Sequence, residues 1–171
     1  MNISMTIHSN RIIFVPASKY HKAFKRLAKT DDYYRFAFNT SPAQDNFSKE
    51  AIEDADALHY DVFTKNKVIL GILKCYYPVG DANLWIQTLI VRKEFAREGY
   101  GTLILQHFIQ TLIHQHSLNK IFLTCHKDNV AGISFWQQQG FIRQDERIKN
   151  DYYLFVADIR SLTCIEKFLA H

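Results

Sequence analysis

The feature that most constrains this chain is an apolar strand pattern followed by a glycine loop and a long helical pattern. Residues 83–92 (N-L-W-I-Q-T-L-I-V-R) are the most β-like segment, and residues 101–116 carry a broad apolar helical face. Gly99 and Gly101 lie between them. Glycine lets a ligand approach backbone N–H groups, and a helix N-terminus adds unpaired donors and a positive dipole end. This order predicts an anion site; the alternative is that the glycines only form a tight turn.

The charges around the loop favour a phosphate ligand. Arg92, Lys93 and Arg97 flank it, and residues 99–127 contain no Asp or Glu. The Walker sequence G-x-x-x-x-G-K-[ST] is absent. A Rossmann site requires a third glycine where this chain has Ile104, and an acidic residue about twenty positions later. A dinucleotide site is therefore disfavoured.

The periodicity of the rest of the chain predicts a mixed sheet flanked by helices. Strands are predicted at residues 11–15, 59–64, 68–77, 83–92, 120–125, 141–148 and 152–159. Helices are predicted at residues 19–29, 33–38, 101–116, 129–139 and 160–170, with a further helix that starts near Ser48. Gly140 stands where a C-cap glycine would end the fourth of these. This order is typical of an α+β fold, or of an α/β fold with incomplete alternation. Because no repeat or linker is visible, we expect one domain over residues 1–171.

Composition excludes several classes of protein. The 171 residues are 47% hydrophobic and 22% charged, which is not typical of a disordered chain. The net charge of +4 includes no block of basic residues, so neither nucleic acid nor a membrane surface is an expected partner. No apolar run approaches the roughly 18–20 residues that span a bilayer, and no secretory signal is visible.

Cysteine and histidine usage argues against disulfides and metals. The three cysteines are widely spaced and include no C-x-x-C pair, so a reducing cytoplasm is the expected location. His107 and His114 lie two helical turns apart, roughly 10 Å, which is too far to share one metal ion. We therefore expect no metal site.

Three segments of the chain form a further pattern. They are residues 96–101 (A-R-E-G-Y-G), a strand at residues 121–125 (I-F-L-T-C), and Asn129 with S-F-W-Q-Q-Q-G-F at residues 134–141. In this order they resemble the acetyl-CoA-binding core of the GNAT N-acetyltransferase superfamily, whose signature [Q/R]-x-x-G-x-[G/A] corresponds to residues 96–101. The resemblance implies a GNAT-type, mixed and mostly antiparallel central sheet of about seven strands flanked by helices. Two parallel strands of this sheet are expected to splay apart and admit coenzyme A.

The same resemblance implies which residues bind acetyl-CoA. Pantetheine is expected to pair with the main chain of Leu89, Ile90 and Val91, as an added strand would. Asn129 and Phe135 are expected near the thiol end. The pyrophosphate is expected on the amides of Ala96, Arg97, Glu98, Gly99, Tyr100, Gly101 and Thr102. The family's usual Gln or Arg is Ala96 here, and its common Gly is Arg97, but the amide donors remain.

The family's usual general base and acid are missing at the matching positions. Aminolysis of a thioester requires an unprotonated amine, a donor for the oxygen that gains charge, and a proton for the thiolate. The family's Glu corresponds to Gln87 or, in the histone-acetyltransferase register, to Trp85. Its Tyr corresponds to Phe135 or Trp136, which have no hydroxyl.

Other side chains could replace these groups. His126 follows the strand at residues 121–125, and an imidazole can transfer protons near neutral pH through water; a solvated loop histidine is the alternative. Cys125 is disfavoured as a nucleophile, because buried strand cysteines are usually inert. The tyrosines at residues 33–34 and 152–153 could supply a hydroxyl or could only pack.

The resemblance therefore predicts an acetyl-CoA-dependent N-acyltransferase that transfers an acetyl group directly to a primary amine. The acceptor could be a small molecule or a peptide lysine. The alternative function is a coenzyme-A-binding module with weak or no transferase activity, which the missing Glu and Tyr favour. The expected partners are acetyl-CoA and an amine, and a dimer is possible.

Overall fold

The computed structural model describes residues 7–8, 11–16, 20–37, 55–78, 82–115, 117–149 and 151–162. These residues include eight strands and three α-helices. The strands are β1 (Ile7–His8), β2 (Ile12–Pro16), β3 (Ala55–Thr64), β4 (Ile69–Pro78), β5 (Asn83–Val91), β6 (Lys120–His126), β7 (Ile142–Lys149) and β8 (Tyr152–Asp158). The helices are α1 (His21–Leu27), α2 (Tyr100–Gln115) and α3 (Val130–Gln138), with short 3-10 helices at Asp32–Tyr34, Lys93–Phe95 and Ile159–Ser161. No described helix is long and apolar enough to cross a bilayer.

The strands form one sheet in the order β1-β2-β3-β4-β5-β6-β8-β7. Every neighbouring pair is antiparallel except β5 and β6, which are parallel. The prediction of a mixed, mostly antiparallel sheet is therefore confirmed. All seven predicted strands are present, and the two-residue β1 is an eighth that the sequence pattern did not reveal.

The two faces of the sheet are covered by different helices, because side chains alternate between the faces along each strand. Helix α2 packs on the face that holds the main core, where its Phe108 stacks on Phe14. Helix α1 covers the opposite face, where Phe24 packs with Ile72 and Ile90. The sheet is thus flanked by helices on both sides, as predicted.

Helix α3 has the ends that its sequence predicts. The Asn129 side chain accepts a hydrogen bond from the Gly132 backbone N–H at 3.0 Å, which caps the first turn. Gly140 follows the last turn with a φ of 94°, the left-handed conformation of a C-cap glycine. Together, these caps position the helix directly after β6.

One predicted helix is shorter than expected, and two others fall largely outside the described residues. The helix predicted at residues 33–38 is a single 3-10 turn, Asp32–Tyr34, because the Asp31 carboxylate caps the Tyr33 N–H at 3.0 Å and the chain turns at residues 35–37. The helix predicted near Ser48 lies outside the described residues. Of the helix predicted at residues 160–170, the structure describes the end of a short 3-10 helix, Ile159–Ser161, and Leu162.

Candidate active site

The parallel strands β5 and β6 separate half-way along their length. Their pairing ends at Ile86 and Leu123, although β5 continues to Val91 and β6 to His126. The diverging ends leave a gap in the middle of the sheet. The predicted splay of two parallel strands is therefore present.

A bulge in β5 lies at the point of separation. On the β4 side, Cys75 pairs with Ile86 and Lys74 pairs with Thr88, so Gln87 is an extra residue without a partner in β4. A bulge bends its strand and increases the local twist, and bulges are frequent next to active sites. The bulge at Gln87 accounts for the departure of β5 from β6, and nothing in the sequence pattern predicts it.

A cavity of about 180 Å³ occupies the gap between the strands. This volume is more than ten times the roughly 15 Å³ that one water molecule requires, so the cavity can accept part of a substrate. Its walls are residues 86–91 of β5, residues 123–126 of β6, Asn129, Trp136, Tyr152, and Tyr33, Tyr34, Phe36 and Ala37.

The edge of β5 beyond the bulge presents main-chain groups to the cavity. The Arg92 N–H donates to the Leu70 carbonyl at 2.8 Å, towards β4. Because successive residues of a strand point their polar groups to opposite edges, Ile90 also faces β4, whereas Leu89 and Val91 face the gap. Of the three residues expected to pair with pantetheine, two thus present their N–H and C=O groups to the cavity.

Residues 31–37, which we call the strap, close one side of the cavity. The Tyr33 hydroxyl donates to the Val91 carbonyl at 3.2 Å, and the Tyr34 hydroxyl accepts from the Lys93 N–H at 2.9 Å. Both tyrosines therefore fasten the strap to the end of β5. Burial, the largest cause, raises the pKa of Tyr33, so its hydroxyl stays protonated.

The loop after β5 presents a run of open backbone donors. The N–H groups of residues 97–102 donate to no acceptor among the described residues. Ala96 differs from the expectation, because its N–H donates to the Lys93 carbonyl at 3.1 Å. The Gly99 carbonyl accepts from the Leu103 N–H at 3.0 Å, so helix α2 begins here and its first N–H groups remain unpaired.

The backbone of this loop has the conformation of an anion-binding nest. Arg97 and Gly99 have φ values of 64° and 81°, both in the left-handed region. Left-handed residues alternating with ordinary ones turn successive N–H groups towards a common centre. Arg97 and Glu98 are exposed, and neither forms an ion pair with a described residue. The loop therefore combines six open donors with an unpaired guanidinium.

Gly101 has a packing role as well as an open amide. A Cβ atom at this position would lie 3.2 Å from Cε2 of Phe135. The missing side chain thus lets the Phe135 ring pack against the first turn of α2. Phe135 lies beside the loop, while its neighbour Trp136 lines the cavity.

His126 is held between two aromatic rings at the end of β6. Phe36 stacks on its ring with the centres 5.0 Å apart, and Tyr152 meets it edge-on at 5.1 Å. The Asp128 N–H donates to Nδ1 at 3.2 Å. Because Nδ1 accepts this bond, the proton of the neutral ring lies on Nε2. His126 lines the cavity, and Nε2 is the donor of its neutral ring; the Asp128 carboxylate also lies 3.7 Å from Nδ1.

Cys125 does not have the properties of a nucleophile. Its side chain is buried, and burial raises the pKa of the thiol to about 11, although contact with Asn129 opposes the shift. At neutral pH the thiolate is the reactive form and is scarcely populated. These properties support the expectation that Cys125 serves packing.

Gln87 lines the cavity, whereas Trp85 does not. The Gln87 Oε1 accepts from the Tyr76 hydroxyl at 3.0 Å, while Trp85 stacks on Phe122 with the ring centres 5.2 Å apart. No carboxylate is among the described residues that line the cavity. Across the described part of the chain, no three His, Cys, Asp or Glu side chains come together as a metal site requires.

Comparison with known proteins identifies the family. The family model for the acetyltransferase (GNAT) family matches residues 24–141, more than half of the chain. No curated protein matches significantly. Among solved structures, a GCN5-related N-acetyltransferase from Brucella melitensis is similar with a TM-score of 0.70 and 14% identity, over 94% of this chain and 81% of that one.

Two further structures share the fold. An acetyl transferase from Salmonella typhimurium that modifies the N-terminal serine of a 50S ribosomal protein has a TM-score of 0.64 and 15% identity, over 90% of this chain and 99% of that one. A ribosomal alpha-N-protein acetyltransferase in complex with coenzyme A has a TM-score of 0.67 and 14% identity, over 92% of this chain and 99% of that one. With the splayed strands, the open-amide loop and the family match together, the chain belongs to the GNAT acetyltransferase family.

Proposed function

We propose that this protein transfers an acetyl group from acetyl-CoA directly to a primary amine. The observation that carries the proposal is that β5, whose residues 86–91 line the cavity in the split sheet, leads into the loop with six open amides at residues 97–102. An extended chain with an anionic end fits this arrangement: the open edge of β5 offers strand-like pairing, and the nest offers donors to phosphate.

The residues present fit such a ligand. Leu89 and Val91 would bind the pantetheine arm through their main chain, and the amides of residues 97–102 would bind the pyrophosphate. Arg97 would add a positive charge at the same place. Asn129 and Trp136, which line the cavity, would enclose the thiol end. Acetyl-CoA would supply the activated acetyl group.

Two side chains are available for the transfer itself. Gln87 Oε1 already accepts from Tyr76 and retains a second lone pair, with which it can orient the N–H of an incoming amine. His126 can donate from Nε2 to the thioester oxygen, which gains negative charge during attack. The C–N bond forms as the C–S bond breaks, and the proton released by the nitrogen ends on the sulfur of coenzyme A.

The described residues that line the cavity include no carboxylate. We therefore expect the acceptor to lose its ammonium proton to water and not to a carboxylate of the cavity wall. Alkylamines have a pKa of roughly 10.4, so the neutral fraction increases about tenfold per pH unit near neutrality. We expect kcat/KM for the amine to follow this fraction; a plateau near neutral pH would instead reveal a base on the protein.

The same absence favours a second candidate, a coenzyme-A-binding module without useful transferase activity. Calorimetric titration with acetyl-CoA and an assay of thiol release over a panel of amines separate the two. Binding with thiol release supports the transferase, whereas binding without release from any amine supports the module. No heat and no thermal shift at millimolar acetyl-CoA would contradict both.

A charge-reversal variant tests the assigned phosphate site. Arg97→Glu places a carboxylate beside the open amides and should weaken acetyl-CoA binding at least about tenfold, a change of about 1.4 kcal/mol. Lys120→Glu, the matched control, changes an exposed residue at the start of β6, far along the strand from the cavity. Equal affinities of the two variants would refute the assignment of the loop.

A further inference from the structure

A row of polar side chains crosses the sheet towards the cavity on the face that α1 covers. His59 in β3 pairs with Lys74 in β4, and Lys74 pairs with Thr88 in β5, which lines the cavity. Residues paired across strands lie on the same face, with about 5 Å between neighbouring Cα atoms. Lys74 is therefore one strand away from the cavity wall.

The Lys74 side chain lies beside the residues that would hold the acceptor. Its Nζ is 5.1 Å from the centre of the Tyr76 ring, and the Tyr76 hydroxyl donates to Gln87 at 3.0 Å. Lys74 is partly buried, and it forms no ion pair with any described residue. No described carboxylate therefore competes with a ligand for the Lys74 ammonium group.

Positive potential extends from Lys74 along the row. Burial and then the charge of Lys74 lower the pKa of His59, and the same two causes, followed by Lys25, lower the pKa of His21. The His21 and His59 rings lie 6.2 Å apart. Near neutral pH these imidazoles can donate hydrogen bonds, while Lys74 supplies the charge.

Asp61 lies on the same face, two residues beyond His59 in β3, where it is 2% exposed and pairs with Ile72. Lys74 is partly exposed and lies nearer to the cavity, whereas Asp61 is buried further along β3.

We infer that the amine acceptor carries an anionic group, a carboxylate or a phosphate, which Lys74 binds while the amine lies at Gln87. This inference rests on the proposed transfer to a primary amine and narrows its substrate class. The acceptor class is therefore an amine that also carries a carboxylate or a phosphate, of which short ω-amino acids and amino-alkyl phosphates are simple examples.

Matched pairs of amines test the inference. γ-Aminobutyrate is compared with its amide, β-alanine with its amide, and phosphoethanolamine with ethanolamine, with thiol release as the readout. We expect a lower KM for the anionic member of at least one pair. The pair that shows the preference distinguishes a carboxylate from a phosphate as the recognised group.

Variants of Lys74 separate charge recognition from a structural effect. Lys74→Met should raise KM for the preferred anionic amine about tenfold, the loss expected for a hydrogen bond to a charged group, with kcat within twofold. The neutral member of the pair should be unaffected, and Lys74→Arg should retain most of the preference. Lys65→Met, an exposed lysine at the opposite end of the β3–β4 hairpin, is the control.

Binding is measured alongside turnover, so that a slow enzyme still gives a result. In calorimetry with coenzyme A present, the anionic amine should bind more weakly to Lys74→Met than to the wild type. The inference would be overturned if the wild type had the same KM for both members of every pair. It would also be overturned if Lys74→Met lost affinity equally for the anionic and the neutral amine. Failure of acetyl-CoA itself to bind would instead refute the proposed function.

Discussion

Gly99 offers a clean test of the loop geometry, because its backbone conformation is unusual while the space around it is open. Its φ is +81°, and a Cβ atom would meet no heavy atom of the described residues within 4 Å. An alanine in the left-handed region costs about 1–2 kcal/mol. The same alanine reduces the conformational entropy of the unfolded chain, which stabilises the folded protein by about 0.4–1 kcal/mol. Gly99→Ala should therefore lower the free energy of unfolding by only about 1 kcal/mol.

The effect of the same substitution on acetyl-CoA binding should be larger. If the loop relaxes to an ordinary φ, the N–H groups next to Gly99 no longer point towards the common centre. A hydrogen bond to a charged group contributes about 1.5–3 kcal/mol, so the loss of one reduces affinity at least about tenfold. Urea denaturation measures the stability, and calorimetric titration with acetyl-CoA measures the affinity.

Two further variants complete this test. Gly99→Asn should bind acetyl-CoA better than Gly99→Ala, since asparagine tolerates the left-handed region. Arg97→Gly relieves the same strain at the other left-handed position, so it should not destabilise the protein by more than a few tenths of a kcal/mol. An affinity of Gly99→Ala within twofold of the wild type would refute the nest as the phosphate site.

Three other expectations concern stability and reactivity. Gly71→Ala should lower the free energy of unfolding by several kcal/mol, because the added Cβ would lie 2.0 Å from the Ile90 carbonyl oxygen. Urea denaturation measures this change, and a decrease below about 1 kcal/mol would be inconsistent with the close approach. Cys125→Ala should retain transfer activity, and the wild type should resist iodoacetamide, since burial raises the pKa of the thiol to about 11; loss of kcat with KM unchanged would argue for a covalent role. Burial lowers the pKa of His107, so below about pH 6.5 the unfolded chain takes up more protons and stability falls. His107→Gln should show a smaller fall in urea midpoint between about pH 7.5 and pH 5.5, and an identical fall would contradict the assignment.

The strand, loop and helix of the proposed coenzyme site could be predicted because their signals are local. Alternating apolar residues define β5, and a glycine before an apolar helical face defines the start of α2. The open amides at residues 97–102 follow directly from that order. Ala96 is the exception, because the 3-10 turn that uses its N–H depends on how the chain leaves β5.

The proposed acceptor side of the site could not be predicted, because it depends on contacts between distant segments. The bulge at Gln87 is visible only in the register of β4 against β5, and the Gln87–Tyr76 hydrogen bond depends on that register. Tyr33 reaches Val91 across 58 positions of sequence. A tyrosine pair in a short helical segment gives no indication of such a partner.

The same distinction between local and long-range signals explains why only one of the two roles of Gly101 could be predicted. Its position in the signature predicts an open amide, whereas its contact with Phe135 depends on the packing of α3 against α2.

A crystal structure with coenzyme A bound would test the central claim most directly. We expect the pantetheine arm in the gap between β5 and β6, paired with the main chain of Leu89 and Val91. We also expect the pyrophosphate on the amides of residues 97–102 and the thiol within reach of Gln87 and His126. Coenzyme A bound outside this gap, or a pyrophosphate that contacts none of these amides, would contradict the account.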